Sequence, residues 1–142
     1  MIECKKIDSN VNVFNIYKEY MKPWVSESFG WDDEFQIKGF AENMDKRDFK
    51  WIFINNIKVG IVCLKEDKEK VNISLLVIFK EFQNKGYGFE CLNHIIGSAP
   101  TFKKITWNCL KCNLPAISLY SKLTDVEVND STFFYHYIVV KR

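Results

Sequence analysis

A long apolar run, Val71-Asn72-Ile73-Ser74-Leu75-Leu76-Val77-Ile78-Phe79, leads into Gln83-Asn84-Lys85-Gly86-Tyr87-Gly88. An apolar-periodic segment, Phe89 to Ile96, follows. The order predicts a strand, a short glycine-bearing turn and a helix. Such a turn can aim several backbone N–H groups and a helix N-terminus at one anion. Two glycines let the backbone approach it closely. A phosphate cradle is one expectation; an ordinary β-α turn that uses glycine for its geometry fits the turn alone equally well. There is no Gly-x-x-x-x-Gly-Lys-Ser/Thr loop, so this is not a Walker site. Nor is it a dinucleotide fingerprint, which needs a third glycine.

The rest of the chain builds around that unit. Ile2–Ile7 reads as a first strand, and Val13, Ile16, Tyr17, Tyr20 and Met21 recur at helical spacing up to Pro23, where the helix should end. Ile37, Phe40, Ala41 and Met44 make a second apolar stripe, with Asp32, Asp33 and Glu34 at its positive end. Trp51–Ile54 and Lys58–Leu64 read as strands joined at Asn55-Asn56. Beyond the cradle come a strand at Lys104–Trp107, a helix from Leu114 to Leu123, and strands near Val126 and Phe133–Val140. The order β-α-α-β-β-β-α-β-α-β-β predicts an α/β chain with a mixed sheet. Its long central strand is apolar enough to be covered on both faces.

The chain has 142 residues, 47% hydrophobic, with a formal charge of +2. One domain spanning 1–142 with a real core is expected, and broad nucleic-acid binding is not. No apolar run reaches the roughly 20 residues that span a bilayer, and Met1-Ile2-Glu3-Cys4-Lys5-Lys6 has no signal-peptide core. A cytoplasmic protein without a membrane partner is the expectation. Cys4, Cys63 and Cys91 lie among apolar residues and read as small core hydrophobes.

Downstream, Asn113 is a good N-cap, Pro115 fits a first helical turn, and Ala116, Leu119, Tyr120 and Leu123 share one face. Alone, Tyr120 reads as a core aromatic whose hydroxyl finds a partner. Together, Gln83-Asn84-Lys85-Gly86-Tyr87-Gly88 and Asn113, Ala116 and Tyr120 resemble the GNAT superfamily of acyl-CoA-dependent N-acetyltransferases. The first segment matches that family's Gln/Arg-x-x-Gly-x-Gly/Ala after a central strand. The second matches its Asn, small residue and Tyr on one helix. The likeness runs from about Trp51 to the C-terminus.

The resemblance implies a GNAT-like mixed, mostly antiparallel sheet with helices on both faces, and acetyl-CoA as cosubstrate. Backbone N–H groups of Gln83, Asn84, Lys85, Gly86, Tyr87 and Gly88 would hold the pyrophosphate. Leu76, Val77 and Ile78 would lie beside the pantetheine and offer a backbone donor to the thioester carbonyl. Asn113 would hydrogen-bond the pantetheine arm, and Tyr120 would protonate the departing thiolate. The implied reaction is direct attack by a primary amine, without metal. Two departures stand out: Leu123 is followed by Thr124-Asp125 rather than Gly-Phe, and the central strand carries no carboxylate to act as base.

The N-terminal half shapes the acceptor site in this family, which puts Trp24, Glu27, Trp31 and Glu34 forward as acceptor-binding residues. Trp faces and carboxylates suit a cationic amine; acids favouring a helix N-terminus, with packed Trp rings, are the plainer account of each residue. Cys109-Leu110-Lys111-Cys112 offers a competing thiol–disulfide function, without the usual surrounding fold. His94 and His136 lack ligand spacing to the cysteines, so no metal site is expected. An acyl-CoA-binding module without transfer activity is the alternative in another class, and edge strands with many aromatics allow a homodimer.

Overall fold

The computed structural model describes residues 1–141. Its elements are β1 (Ile2–Lys6), α1 (Val13–Phe29), α2 (Asp33–Asn43), β2 (Phe49–Ile54), β3 (Ile57–Glu66), β4 (Lys70–Ile78), α3 (Tyr87–Ser98), β5 (Lys104–Leu110), α4 (Leu114–Tyr120), β6 (Glu127–Asp130) and β7 (Phe134–Val140). The strands form one seven-stranded sheet in the order β1-β2-β3-β4-β5-β7-β6. Only β4 and β5 pair in parallel, because α3 carries the chain back between them. The sheet is mixed, as the element order predicts, and mostly antiparallel with helices on both faces, as the family resemblance implies. Val13, Ile16 and Phe40 of α1 and α2 pack on one face with Phe49, Trp51 and Ile61. Cys91, Leu92 and Ile95 of α3 pack on the other with Ile105 and Trp107.

A bulge decides the course of β4. Ile73 pairs with Leu64 and Leu75 with Cys63, which leaves Ser74 as an extra residue. One extra residue reverses the side-chain alternation. Val71 and Ile73 therefore join the α3 face, as do Leu76 and Ile78, whereas Leu75 and Val77 join the α1 face. Polar residues alternate only as far as the bulge, at Asn72 and Ser74; beyond it the strand is apolar on both faces. A second close fit lies alongside. A Cβ at Gly60 would collide with the Val77 carbonyl oxygen, so β3 approaches β4 there only as glycine.

Three expectations need correction. Pro23 does not end α1, which runs on to Phe29 and stops at Gly30, at φ 75°. Pro23 is exposed, so the ladder bond it removes is lost on the solvent side. Met21 and Val25 on either side stay anchored to the core and carry the helix through. The α2 stripe also divides: Phe40 and Met44 pack inward, while Ile37 and Ala41 are exposed. Finally, α4 stops at Tyr120 rather than Leu123, in a turn closed by Leu123 N–H to the Tyr120 carbonyl at 3.1 Å. The hairpin at Asn55-Asn56 forms as expected, with both φ values positive at 50° and 67°.

Candidate active site

The parallel ladder between β4 and β5 ends at Ile73 opposite Trp107. From Ser74 onward the strands separate, and a V-shaped opening is left in the middle of the sheet. Phe79 N–H bonds back to Val59 of β3 at 2.8 Å. Since N–H groups alternate sides along a strand, those of Leu76 and Ile78 point away from β3, into the opening. There they meet no β5 partner. The end of β4 thus presents unpaired backbone groups along one wall, where the sequence puts Leu76, Val77 and Ile78.

A short 3-10 turn, Lys80–Phe82, separates β4 from the cradle. Gly86 caps α3 in the left-handed region at φ 81°, and Asn84 is also positive at 64°. Gln83 differs from its neighbours. Its N–H already reaches the Lys80 carbonyl at 3.4 Å, and its side-chain Nε2 donates to the Ile78 carbonyl at 2.9 Å. Gln83 therefore braces the cradle against β4. Among the described residues, the first α3 N–H bonded back along the helix is that of Glu90, to Gly86 at 3.1 Å. The N–H groups of Asn84, Lys85, Gly86, Tyr87, Gly88 and Phe89 have no backbone acceptor and gather at the positive end of a long helix. Lys85 is exposed beside them. A Cβ at Gly88 would come within 2.6 Å of Leu119 Cδ1, so this glycine lets α3 and α4 close on each other.

On the opposite wall, the Asn113 side-chain oxygen accepts from Ala116 N–H at 3.3 Å and caps α4. Pro115 occupies the first turn, as expected. Tyr120 at the other end of α4 lies 4.9 Å from Tyr137 and 5.5 Å from Trp107, ring centroid to ring centroid. Burial, more than its neighbours Cys109 and Tyr137, pushes the Tyr120 phenol well above the ordinary tyrosine range. Its proton is held through neutral and mildly alkaline pH.

Helix α1 crosses the mouth of the opening and is tied to both banks. Tyr20 Oη accepts from Lys80 N–H at 3.0 Å on the β4 side. Cys112 Sγ contacts the Trp24 carbonyl at 3.4 Å and Ser28 Oγ at 3.3 Å on the β5 side. Two cavities result. One, of about 320 Å³, runs from the cradle past Ile78, Gln83, Asn84 and Gly88 to Asn113 and Tyr120. The other, of about 570 Å³, lies on the α1 and α2 side and is lined by Tyr17, Phe35, Gln36, Met44, Asn108 and Phe134 among others. Both touch Met21, Leu76, Asn113, Ala116 and Tyr120. Tyr120 stands where they join.

The residues put forward for the acceptor are scattered. Trp24 lines the cradle-side cavity. Glu27, Trp31 and Glu34 line neither cavity, and both glutamates are exposed. The neighbouring acids are engaged: Asp32 caps α2 through Phe35 N–H at 3.0 Å, and Asp33 holds Lys18 and the Trp31 indole N–H, each at 2.8 Å. Hydrogen bonding by Lys18 first, then by Trp31, lowers the Asp33 pKa. Residues that do line the larger cavity, such as Tyr17 and Met21, belong to the α1 stripe that reads as core. Phe134 is remote in sequence, and no spacing rule links it to them.

Cys109 lies near the end of β5 and Cys112 in the loop before α4. Both thiols are free, and burial raises the Cys109 pKa to about 11, away from the thiolate that exchange requires. Cys112 instead fastens the β5–α4 loop to α1. His136 packs between Asn108 Oδ1 at 2.6 Å and Ser131 Oγ at 3.0 Å. Among the described residues there is no group of three or more His, Cys, Asp or Glu suited to a metal ion, and no helix is long and apolar enough to cross a membrane.

A mixed sheet that splays at its parallel β4–β5 pair, with a glycine turn of unpaired N–H groups on one arm and a half-buried tyrosine on the other, defines a class of acyl-transfer fold. The model of the Acetyltransferase (GNAT) family matches residues 12–124, and the chain belongs to that family. The fold is similar to that of PH1933 from Pyrococcus horikoshii OT3, at TM-score 0.65 and 19% identity, over 100% of this chain and 99% of that one. It is also similar to the PaiA N-acetyltransferase from Thermoplasma acidophilum, solved in complex with coenzyme A, at TM-score 0.62 and 15% identity over 99% of each chain. The Campylobacter jejuni N-acetyltransferase PseH, solved with acetyl coenzyme A, matches at TM-score 0.60 and 18% identity over 100% of both chains. No curated protein matches the chain in sequence.

Proposed function

We propose that this chain transfers the acetyl group of acetyl-CoA to a primary amine by direct attack, without a covalent enzyme intermediate. The observation that carries the proposal is the position of Tyr120 at the junction of two cavities, one leading to the cradle and one to the α1 and α2 side. The unpaired N–H groups from Asn84 to Phe89 suit a pyrophosphate, and Lys85 adds positive charge beside them. The N–H groups of Leu76 and Ile78 line the wall where a pantetheine arm and thioester would lie. A donor there stabilises negative charge as it develops on the thioester oxygen. Asn113 contributes its amide nitrogen to the same arm while its oxygen caps α4.

In the reaction the amine lone pair forms the C–N bond as the C–S bond breaks. Tyr120 gives its proton to the leaving sulfur, and the proton lost from the amine restores the phenol through water. Among the described residues, no carboxylate lines the larger cavity to act as base. Five free cysteines suit a reducing compartment, and the cytoplasm is part of the same proposal. The test is release of free CoA from acetyl-CoA across a panel of primary amines, with calorimetry of acetyl-CoA binding alongside. Amine-dependent release supports the proposal. Tight binding with no release for any amine points instead to a CoA-binding module.

A further inference from the structure

We infer that the acceptor is a primary amine on an apolar, ring-bearing or long-alkyl body rather than a polyamine or an amino sugar. The inference rests on the acetyl-transfer function proposed above and concerns the chemistry of the larger cavity. Among the described residues, no Asp, Glu, Lys, Arg or His lines that cavity. Tyr17, Met21, Phe29, Phe35, Met44 and Phe134 form much of its surface, and Ser74, Gln36 and Asn108 supply the few polar groups near them. At about 570 Å³ it falls in the range that encloses most of a drug-sized molecule.

Its mouth continues the same chemistry. Phe35 is 72% exposed and Phe29 53% exposed, and Phe29 packs on Phe133 at 4.7 Å between centroids. Exposed aromatic side chains beside a concave apolar wall mark a ligand surface more than a packing remnant. Among the described residues, a polycation would find no carboxylate lining this cavity to replace its water. Of the acids beside Phe35 in sequence, Asp32 is used by the α2 cap and Asp33 by Lys18 and Trp31, and Glu34 is exposed outside the cavity. Trp31 lies outside the cavity, and Lys22 sits 5.9 Å from its ring centroid.

The uncharged lining also bears on the missing base. An ammonium group entering a low-dielectric cavity without a counter-ion loses solvation, and its pKa falls. The cavity therefore favours the neutral amine, which is the form that attacks. A carboxylate would do the opposite and hold the amine protonated.

The experiment compares 2-phenylethylamine, spermidine and glucosamine as acceptors for acetyl-CoA, using kcat/KM from CoA release. The expected result is at least a tenfold preference for 2-phenylethylamine, lost in Phe35→Asp, a change at a 72% exposed position. A second measurement follows the Trp107 indole N–H by NMR in the CoA-loaded protein, since Trp107 lines the cavity and this N–H has no hydrogen-bond partner. 2-Phenylethylamine should shift that signal and spermidine should not. If 2-phenylethylamine shifts it but no amine is acetylated, the cavity assignment stands and the transfer function fails. Better turnover with spermidine or glucosamine overturns the inference, as does a preference unchanged in Phe35→Asp. Faster transfer from hexanoyl-CoA than from acetyl-CoA also overturns it, by giving the apolar lining to the donor's acyl chain. Absence of both shift and turnover removes both proposals.

Discussion

Ile73 and Trp107 are the last residues to face each other across β4 and β5, and the next residue, Ser74, is the bulge. The same residue marks two events: β4 reverses its faces, and its parallel neighbour leaves. The opening that holds both cavities starts at this point.

Deletion of Ser74 should therefore be far more damaging than any substitution there. Without the extra residue, Leu75 and Val77 would turn toward the α3 face, and Leu76 and Ile78 toward the α1 face. Loss of a cooperative thermal transition is expected for the deletion. Ser74→Ala should melt close to the wild type.

Gly86 holds the cradle through its positive φ of 81°. An L-residue in the left-handed region costs roughly 1–2 kcal/mol. Gly86→Ala should weaken CoA binding by about tenfold if relaxation turns N–H groups out of the cradle, a factor equivalent to about 1.4 kcal/mol. Isothermal calorimetry with CoA measures it, and unchanged affinity would show that the cradle tolerates the strain.

Asn113 carries two roles that one pair of variants separates. Its side-chain oxygen caps α4, and its amide nitrogen is proposed to meet the pantetheine arm. Asn113→Ala loses both, with a stability cost of about 1 kcal/mol. Asn113→Ser retains a capping oxygen but no amide donor. Its melting temperature should stay near wild type while its KM for acetyl-CoA rises severalfold.

Tyr120→Phe keeps the ring against Trp107 and Tyr137 and removes only the acidic proton. A positioned general acid contributes on the order of a hundredfold or more. Turnover should fall by about that factor while CoA affinity, read by calorimetry, stays constant. An unaltered kcat would strip Tyr120 of the acid role.

Alkaline pH should destabilise the fold through its buried thiols. Desolvation raises Cys63 and Cys91 to about 12 and Cys109 to about 11, from a reference of 9.0. Between those values the unfolded chain releases protons that the folded chain keeps, so rising pH favours the unfolded state. The stability contribution is fully present below about pH 9 and is lost as pH climbs toward 11 and 12. Melting temperatures recorded from pH 7 to 10.5 should be level and then fall. Cys63→Ala should soften the alkaline decline.

The donor half of the site is legible in the chain because it is made locally. A cradle needs a strand end, glycines at defined positions and a helix start, all within a few contiguous residues, and Gln83 to Gly88 supplies them. Asn113 and Tyr120 are likewise set by one short helix. Even here sequence assigns Gln83 a ligand-facing N–H that the fold bonds instead to the Lys80 carbonyl, while its side chain braces the turn against Ile78.

The acceptor half is not legible, because no local pattern specifies it. Trp24, Glu27, Trp31 and Glu34 are close in sequence and chemically suggestive, yet with α1 running on past Pro23 none of them lines the larger cavity. That cavity is assembled from Tyr17, Phe35, Met44, Asn108 and Phe134, which come from α1, α2 and their flanks together with two strands beyond the cradle. Periodicity marks such residues as apolar and inward without saying whether they face packed core or open space. The sequence by itself determined the element order, the mixed sheet and the glycine-bearing turn before α3, since each follows from neighbours along the chain. The tertiary structure decided where β4 changes face, where β5 departs, and hence what kind of molecule can reach Tyr120, because those depend on register and packing between segments far apart in sequence.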